Sequence, residues 1–244
     1  MKTNDSYIIK WLNICCLMIF IMILVGGATR LTQSGLSMVD WKPLMGILPP
    51  INDNQWNESF DEYKKYPEYQ QVNKFKNMDL SQYKSIYYWE YAHRMLGRII
   101  GLIFIIPFIV FYKKRSLNPR LQVHLLVAIF LVIIQGILGW FMVKSGLVDN
   151  PHVSHYRLAA HLFLAFLLIS YTYWIKLNIN NKEQSNNINK SLFIHIKLIL
   201  VLYVFQVLFG AFIAGTKSGL LWNTFPLMDG RIVPNGLLVL NPFY

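Results

Sequence analysis

The chain has 244 residues, of which 55% are hydrophobic and 14% are charged. This balance excludes an ordinary soluble globular protein and indicates a chain that crosses a membrane several times. The formal charge of +11 is weak support for nucleic-acid binding, because the basic residues are not gathered on one soluble face. We therefore expect contact with membrane lipid and no nucleic-acid partner.

Five apolar segments are long enough to cross a hydrocarbon core about 30 Å thick, which needs about 20 helical residues. They predict an all-α integral membrane protein with spans near 9–28, 86–112, 121–143, 157–177 and 192–214. The first apolar run is long for the core of a signal peptide, and no clear cleavage site follows it. We expect it to be a retained helix.

The orientation of these spans follows from the short loop KKRSLNPR, 113–120, which has four basic residues and no acidic one. Basic short loops stay on the cytoplasmic side, so the N-terminus is predicted inside. The C-terminus and the long loop 29–85 are then predicted outside, in the periplasm of a bacterial cell. This loop is too long for a plain connection, and it is either a lid or docking surface or a solvated loop with short helices.

An internal repeat relates the segment after the first span to the segment after the fifth. QSGLSMVDWKPLMG at 33–46 is echoed by KSGLLWNTFPLMDG at 217–230. Both copies follow helices that run from inside to outside, so the repeat unit is four helices long. The repeat predicts a complete four-helix bundle over 1–177, a linker over 178–191, and the first helix and outer loop of an incomplete second half over 192–244.

Ionisable residues cluster near the outer end of the second span, within YYWEYAHRMLGRIIG at 87–101. Such residues are costly in lipid, so they usually face the bundle interior and mark a functional site. Glu90 and His93 share one helical face. Glu90 could transfer protons or stabilise positive charge, or it could simply form an i,i+4 ion pair with Arg94.

A second intramembrane histidine, His161, lies just inside the fourth span among small residues. At a rise of about 1.5 Å per residue, His93 and His161 should lie about 10 Å and 6 Å below the outer boundary. Because both spans run in the same direction, the two residues can meet at a similar depth. Two imidazoles from facing helices suit the two axial positions of a haem iron. Hydrogen-bonded packing is the alternative, and zinc is less favoured because no third or fourth ligand is evident. The candidate partners for haem propionates are Arg94, Arg98 and Arg157.

Four further histidines are weaker candidates. His152 and His155 lie in or at the edge of an outer loop, and a functional role for them is left open. His124 and His195 lie near the inner ends of the third and fifth spans, far from the predicted axial pair, and we expect them to be interfacial.

Three segments together closely resemble the haem A synthase family: GGATRLTQSGLSMVDWKPLMGILPP at 26–50, EYAHRMLGRIIG at 90–101 and RLAAHL at 157–162. The resemblance is to the alphaproteobacterial and mitochondrial branch, since the cysteine pair of the other branch is absent from the first outer loop. It implies oxidation of a methyl group of haem O to a formyl group, which gives haem A for cytochrome oxidase. It also implies that His93 and His161 hold the substrate haem and that Glu90 is the functional glutamate.

The resemblance also implies eight helices in two four-helix halves, the second of which holds a b-type haem as cofactor. This sequence stops at NPFY, 241–244, and so resembles a truncated or split member that could be inactive alone. A non-catalytic haem-binding or haem-delivery module and a b-type electron-transfer cytochrome are the alternatives. The family implies a bacterial inner membrane location; haem O synthase, an electron donor and a second copy of the chain are candidate partners.

Overall fold

The fold is described by a computed structural model of the chain. The described residues are 3–39, 47–149, 151–180, 190–220, 223–224 and 226–233. The helices are α1 (Thr3–Leu31), α2 (Asp53–Tyr63), α3 (Leu80–Lys113), α4 (Pro119–Ser145), α5 (His155–Asn180) and α6 (Lys190–Thr216). Within this described part, all of these except α2 are long and apolar enough to cross a membrane. The predicted all-α membrane class with five spans is therefore confirmed.

The helices begin at capping residues rather than at the edges of the apolar runs. Asp79 and Gln82 form a reciprocal capping box, in which each side chain accepts a hydrogen bond from the other's backbone N–H, at 2.8 and 3.2 Å. This box starts α3 at Leu80, before the predicted boundary near 86. Asn118 caps α4, and Pro119 occupies its first turn, where a missing N–H costs nothing.

Four spans pack around one apolar core, and α1 lies at its centre. One face of α1 is buried and packs against α3 and α5, while α4 completes the core from the other side of α5. Close packing rather than water exclusion holds such helices together within lipid. The core residues contributed by α1 are Ile8, Trp11, Leu12, Cys15 and Ile19. Those from the other spans are Ile100, Phe104, Leu125, Ala128, Leu168 and Ile175.

The fifth span, α6, packs only against the outside of this bundle. It contacts α5, and among its described residues only Ala211 is buried. The predicted linker 178–191 is partly helical, because α5 continues to Asn180 and α6 begins at Lys190; its central part, 181–189, lies outside the described residues. The division into two halves stays a prediction.

The long outer loop contains a packed cap built on the extramembrane start of α3. Helix α2 lies against α3, and a π-helical turn at Tyr69–Asn73 lies against α2. Such a cap differs from a merely solvated loop, although part of the loop, 40–46, lies outside the described residues. Its buried cluster, named here the aromatic cap, consists of Met38, Trp56, Phe60, Tyr63, Tyr83 and Tyr87.

The two copies of the internal repeat end their helices in the same way. Gln33 and Lys217, which correspond in the repeat, have φ values of 52° and 56°, in the left-handed region that ends a helix. The hydroxyl of Thr32 bonds to the carbonyl oxygen of Ala28 at 2.9 Å, and that of Thr216 bonds to Phe212 O at 2.8 Å. The repeat therefore extends from sequence to local geometry. The stretches 40–46, 221–222 and 225 of the two copies lie outside the described residues.

Candidate functional site

Glu90 is a buried carboxylate that joins α3 to the segment following α1. Its side chain is 3% exposed. One oxygen, Oε2, accepts hydrogen bonds from Ser37 Oγ and from the Met38 backbone N–H, both at 2.8 Å. The other, Oε1, accepts a bond from Arg94 Nη2 at 2.6 Å. The ion pair considered from the sequence is therefore present, and two loop contacts accompany it.

Arg94, one turn from Glu90 on α3, also joins α3 to the segment that follows α1. Its guanidinium donates to the backbone oxygen of Met38 at 2.7 Å as well as to Glu90. The hydroxyl of Tyr83 donates to the backbone oxygen of Ser37 at 3.3 Å. A charge buried near lipid is tolerated only when it is paired and hydrogen-bonded, and both charges here meet that condition.

His93 lies one turn along α3 from Glu90, and its imidazole packs against α1. A Cβ atom placed on Gly26 would lie only 3.3 Å from His93 Nε2. One turn further along α3, a Cβ on Gly97 would meet Met22 Cε of α1 at 3.4 Å. Glycines on both helices thus allow the close crossing that brings the His93 ring to the centre of the bundle.

His161 has a matching environment on α5. A Cβ atom on Gly139 of α4 would lie 3.0 Å from His161 Cε1. Gln135 of α4 donates through Nε2 to the backbone oxygen of His161 at 3.0 Å, and the same nitrogen lies 3.5 Å from His161 Nε2. Two atoms at this contact, Gln135 Oε1 and His161 Nδ1, are buried without a hydrogen-bond partner among the described residues.

The two predicted ligands lie on different helices of the same bundle, His93 on α3 and His161 on α5, and each ring is backed by a glycine of a neighbouring helix. Among the residues that the structure describes, no group of three or more His, Cys, Asp or Glu side chains could hold a bare metal ion. A haem iron needs only two axial ligands from the protein.

The three arginines considered as propionate partners occupy different places. Arg94 faces Glu90, and Arg98 lies one turn further along α3. Arg157 donates to the backbone oxygen of Phe141 at 2.7 Å, and its guanidinium lies 3.6 Å from the centre of that ring. Only Arg94 is thus placed beside the Glu90 network, and propionate binding stays a prediction for all three.

The other histidines have packing partners. His155 lies against α6, where a Cβ on Gly215 would come 2.5 Å from His155 Cβ. His124 Nδ1 lies 2.8 Å from the hydroxyl of Tyr171. Burial and the charge of Lys217 lower the pKa of His152. A packing role for His155 and His124 is consistent with these contacts.

A comparison with protein families gives a match over nearly the whole chain. Residues 9–244 match COX15-CtaA, a family described as cytochrome oxidase assembly protein. The chain belongs to this family. Its membership confirms the resemblance found in 26–50 and 90–101, and it indicates that haem takes part in the function of this multi-pass membrane protein.

Similar curated proteins are named Heme A synthase. The one from Nitrosospira multiformis is 45% identical over 100% of this chain and 70% of its own length. The one from Parvibaculum lavamentivorans is 45% identical over 99% of this chain and 69% of its own length. The one from Wolbachia pipientis subsp. Culex pipiens is 45% identical over 95% of this chain and 70% of its own length. No solved structure matches the chain.

Sequence reasoning missed several members of the site in this COX15-CtaA protein. Gln135 carried a usable signal, because an amide in the middle of an apolar span is costly unless it is bonded. Ser37 lies beside the repeated Ser-Gly-Leu motif, which was interpreted as a marker of symmetry rather than as a partner of Glu90. Gly26 and Gly139 gave no separate signal, because glycine is common in membrane helices.

Proposed function

We propose that this chain acts as a haem A synthase, an oxidoreductase that converts a methyl group of haem O to the formyl group of haem A for cytochrome oxidase. The observation that carries the proposal is the pair of histidines, His93 and His161, each backed by a glycine, on two helices of one bundle that also holds buried Glu90. Membership of the COX15-CtaA family and the names of the similar proteins support it.

The residues present fit a haem. Two neutral imidazoles are suitable axial ligands, and Gly26 and Gly139 leave room beside each ring that any larger side chain would fill. His161 Nδ1 is a buried polar atom without a hydrogen-bond partner in the described part of the chain, which is unusual for a residue that serves packing alone. We assign His93 and His161 as the axial ligands of the substrate haem on this basis.

Haem O, when bound, supplies both the iron that the histidines hold and the methyl group that is oxidised. The two imidazoles, fixed on α3 and α5, orient the porphyrin within the bundle. Glu90 lies one turn from His93, and a carboxylate there would stabilise positive charge that develops near the methyl group during its oxidation. Arg94 pairs with Glu90 at 2.6 Å, and the aromatic cap packs against the outer start of α3 on the same side of the bundle.

A non-catalytic haem-binding module is the second candidate, and one observation favours it. The contacts of Glu90 with Ser37, Met38 and Arg94 account for its burial without any chemical role. In this case the chain would bind haem O and leave it unchanged. An electron-transfer cytochrome of the b type would use the histidine pair alone.

We further propose a bacterial inner-membrane location in which the N-terminus and loop 113–120 are cytoplasmic and loop 29–85 is periplasmic. The predicted halves, 1–177 and 192–244, would be joined through the cytoplasmic linker. Haem O synthase, an electron donor and self-association belong to the same proposal. A membrane-impermeant maleimide should label Asn77→Cys but not Lys114→Cys in intact cells; the opposite pattern would reverse the orientation.

One experiment separates the enzyme from the binding module. The chain is expressed in cells that make haem O, and the extracted haems are separated by chromatography. Haem A is the expected product, whereas bound but unchanged haem O would support the binding module. Glu90→Gln should keep haem and lose turnover, since it retains an acceptor but removes the charge.

The ligand assignment is tested in the same preparation. His93→Ala and His161→Ala should each lose most of the bound haem. His124→Ala is the matched control, because this histidine also lies within a span but contacts Tyr171. Haem content at the parental level in both ligand variants would show that the assigned site is wrong.

A further inference from the structure

Gln135 has contacts that go beyond the packing of α4 on α5. Its amide nitrogen bonds to the backbone oxygen of His161 at 3.0 Å and lies 3.5 Å from the ring nitrogen Nε2 of the same residue. Gly139, one turn along α4, lies against the same ring. Gln135 and Gly139 therefore present one face of α4 to His161, the first through a polar contact and the second by leaving space.

The backbone contact fixes which way the amide of Gln135 points. A carbonyl oxygen can only accept a hydrogen bond, so the NH2 group rather than Oε1 must face His161 O. The same nitrogen lies 3.5 Å from His161 Nε2. Two facing N–H groups would repel, so this contact favours the tautomer in which Nε2 carries no hydrogen and Nδ1 carries the proton.

This tautomer is the one that a metal requires at Nε2. A metal binds the lone pair of a ring nitrogen that has no hydrogen, and the partners of a ligating histidine set which nitrogen that is. The 3.5 Å contact is long for a hydrogen bond, so it can give way to a stronger bond from iron. The bond to the backbone oxygen does not compete with iron and continues to hold the amide.

A purely structural role for Gln135 explains less. An amide that only pinned α4 to α5 would account for the bond to His161 O. It would leave Gln135 Oε1 and His161 Nδ1 buried without partners at the same contact, and each such atom costs free energy. Two unpaired atoms at one contact are better explained by a site that binds a further group.

We propose that Gln135 is a positioning residue that holds His161 in the tautomer and orientation in which Nε2 binds the iron of the substrate haem. This inference rests on the proposed haem site, since it requires His161 to be a ligand. Gln135 acts through His161 and does not itself contact the iron.

The test measures haem binding rather than turnover. Iron protoporphyrin IX is titrated into the purified apo-protein in detergent, and both affinity and the absorption spectrum are recorded. Gln135→Leu, which is similar in size but lacks the amide, should weaken binding about 10- to 100-fold, as losses of partners of metal ligands do. It should also lower the fraction of six-coordinate, low-spin haem. Gln122→Leu is the matched control, because Gln122 lies on the same helix and bonds to Leu117 O, far from His161.

A double-mutant cycle with His161→Ala distinguishes positioning from packing. If Gln135 acts through His161, Gln135→Leu should add no loss of affinity once His161 is absent. An equal loss in both backgrounds, or parental affinity and spectrum in Gln135→Leu, would overturn the inference. If His161→Ala itself binds haem normally, the proposed haem site fails instead. Should the leucine variant not accumulate, Gln135→Met gives the same test with a flexible side chain of similar length.

Discussion

The two copies of the repeat have the same local structure but different surroundings. In the first copy, Leu36 is 4% exposed, whereas Leu220, which corresponds to it, is 79% exposed. A Cβ atom on Gly26 would meet His93, while one on Gly210, which corresponds to it, would meet no described atom of another element within 4 Å. The motif thus ends both helices in the same way, and in the first copy it also contacts a helix with a buried glutamate and histidine.

Glu90 should account for most of the difference in surroundings between the two copies of the repeat. Glu90→Leu removes the charge that pairs with Arg94 and the acceptor of Ser37 Oγ and the Met38 N–H, which should cost about 3–5 kcal/mol of stability. The thermal unfolding temperature of the purified protein should fall, and proteolysis of loop 29–85 should become faster. A melting temperature equal to that of the parent would mean that the first copy is held by other contacts.

The aromatic cap above the first copy should make that region sensitive to pH. Burial raises the pKa of Glu68 from 4.5 to about 7, and the charge of Glu90 adds to the rise. The hydrogen bond from Tyr63 and the charges of Lys76 and Lys217 lower this pKa, but they do not offset the burial. The folded state therefore favours the neutral acid. Its stabilising contribution, about 3 kcal/mol at most, is complete below pH 4.5 and is lost as the pH rises through 7.

Glu68→Gln isolates this contribution because it keeps the side chain neutral at every pH. Between pH 5 and pH 8 the parent should lose more stability than the variant, measured as the change in unfolding temperature. Parallel pH profiles for the two proteins would contradict the assignment of this dependence to Glu68.

Two serines at different positions of the motif, one in each copy, sharpen the comparison between the copies. Ser37→Ala removes a hydrogen bond to a buried carboxylate and should cost about 1.5–3 kcal/mol. Ser218, within the exposed turn Ser218–Leu220, bonds to Thr216 Oγ1 at 3.0 Å. Ser218→Ala should change stability by no more than about 0.5 kcal/mol. Equal effects in denaturation of the two variants would show that burial does not distinguish the copies.

A matched pair of glycines should give the smallest effect on stability. Gly26→Ala places a methyl group 3.3 Å from His93 Nε2, so the ring must shift and haem affinity should fall several-fold. Gly210→Ala meets open space and should be neutral, or stabilising by up to about 1 kcal/mol through the higher helix propensity of alanine. Titration with iron protoporphyrin IX and thermal unfolding measure both. Loss of haem affinity in Gly210→Ala alone would reverse the assignment.

The outer loop shows where the sequence could have predicted more. Trp56, Phe60 and Tyr63 are spaced as one face of a short helix, and this periodicity predicts α2 and its buried side. What the spacing does not contain is the surface that they cover. That surface is the extension of α3 beyond the membrane, which exists because Asp79 and Gln82 start the helix early.

The sequence by itself determined the five spans, the repeat and the residues that are costly in lipid, because length, hydropathy and charge act locally. Tertiary structure decided which of these residues meet. Ser37 and Glu90 are 53 positions apart, and Gln135 and His161 are 26 apart. Such contacts depend on the rotation and depth of each helix, and an apolar span such as α6 encodes no preferred face. Packing around small residues supplies that information, since a glycine facing a histidine allows an approach that other arrangements do not.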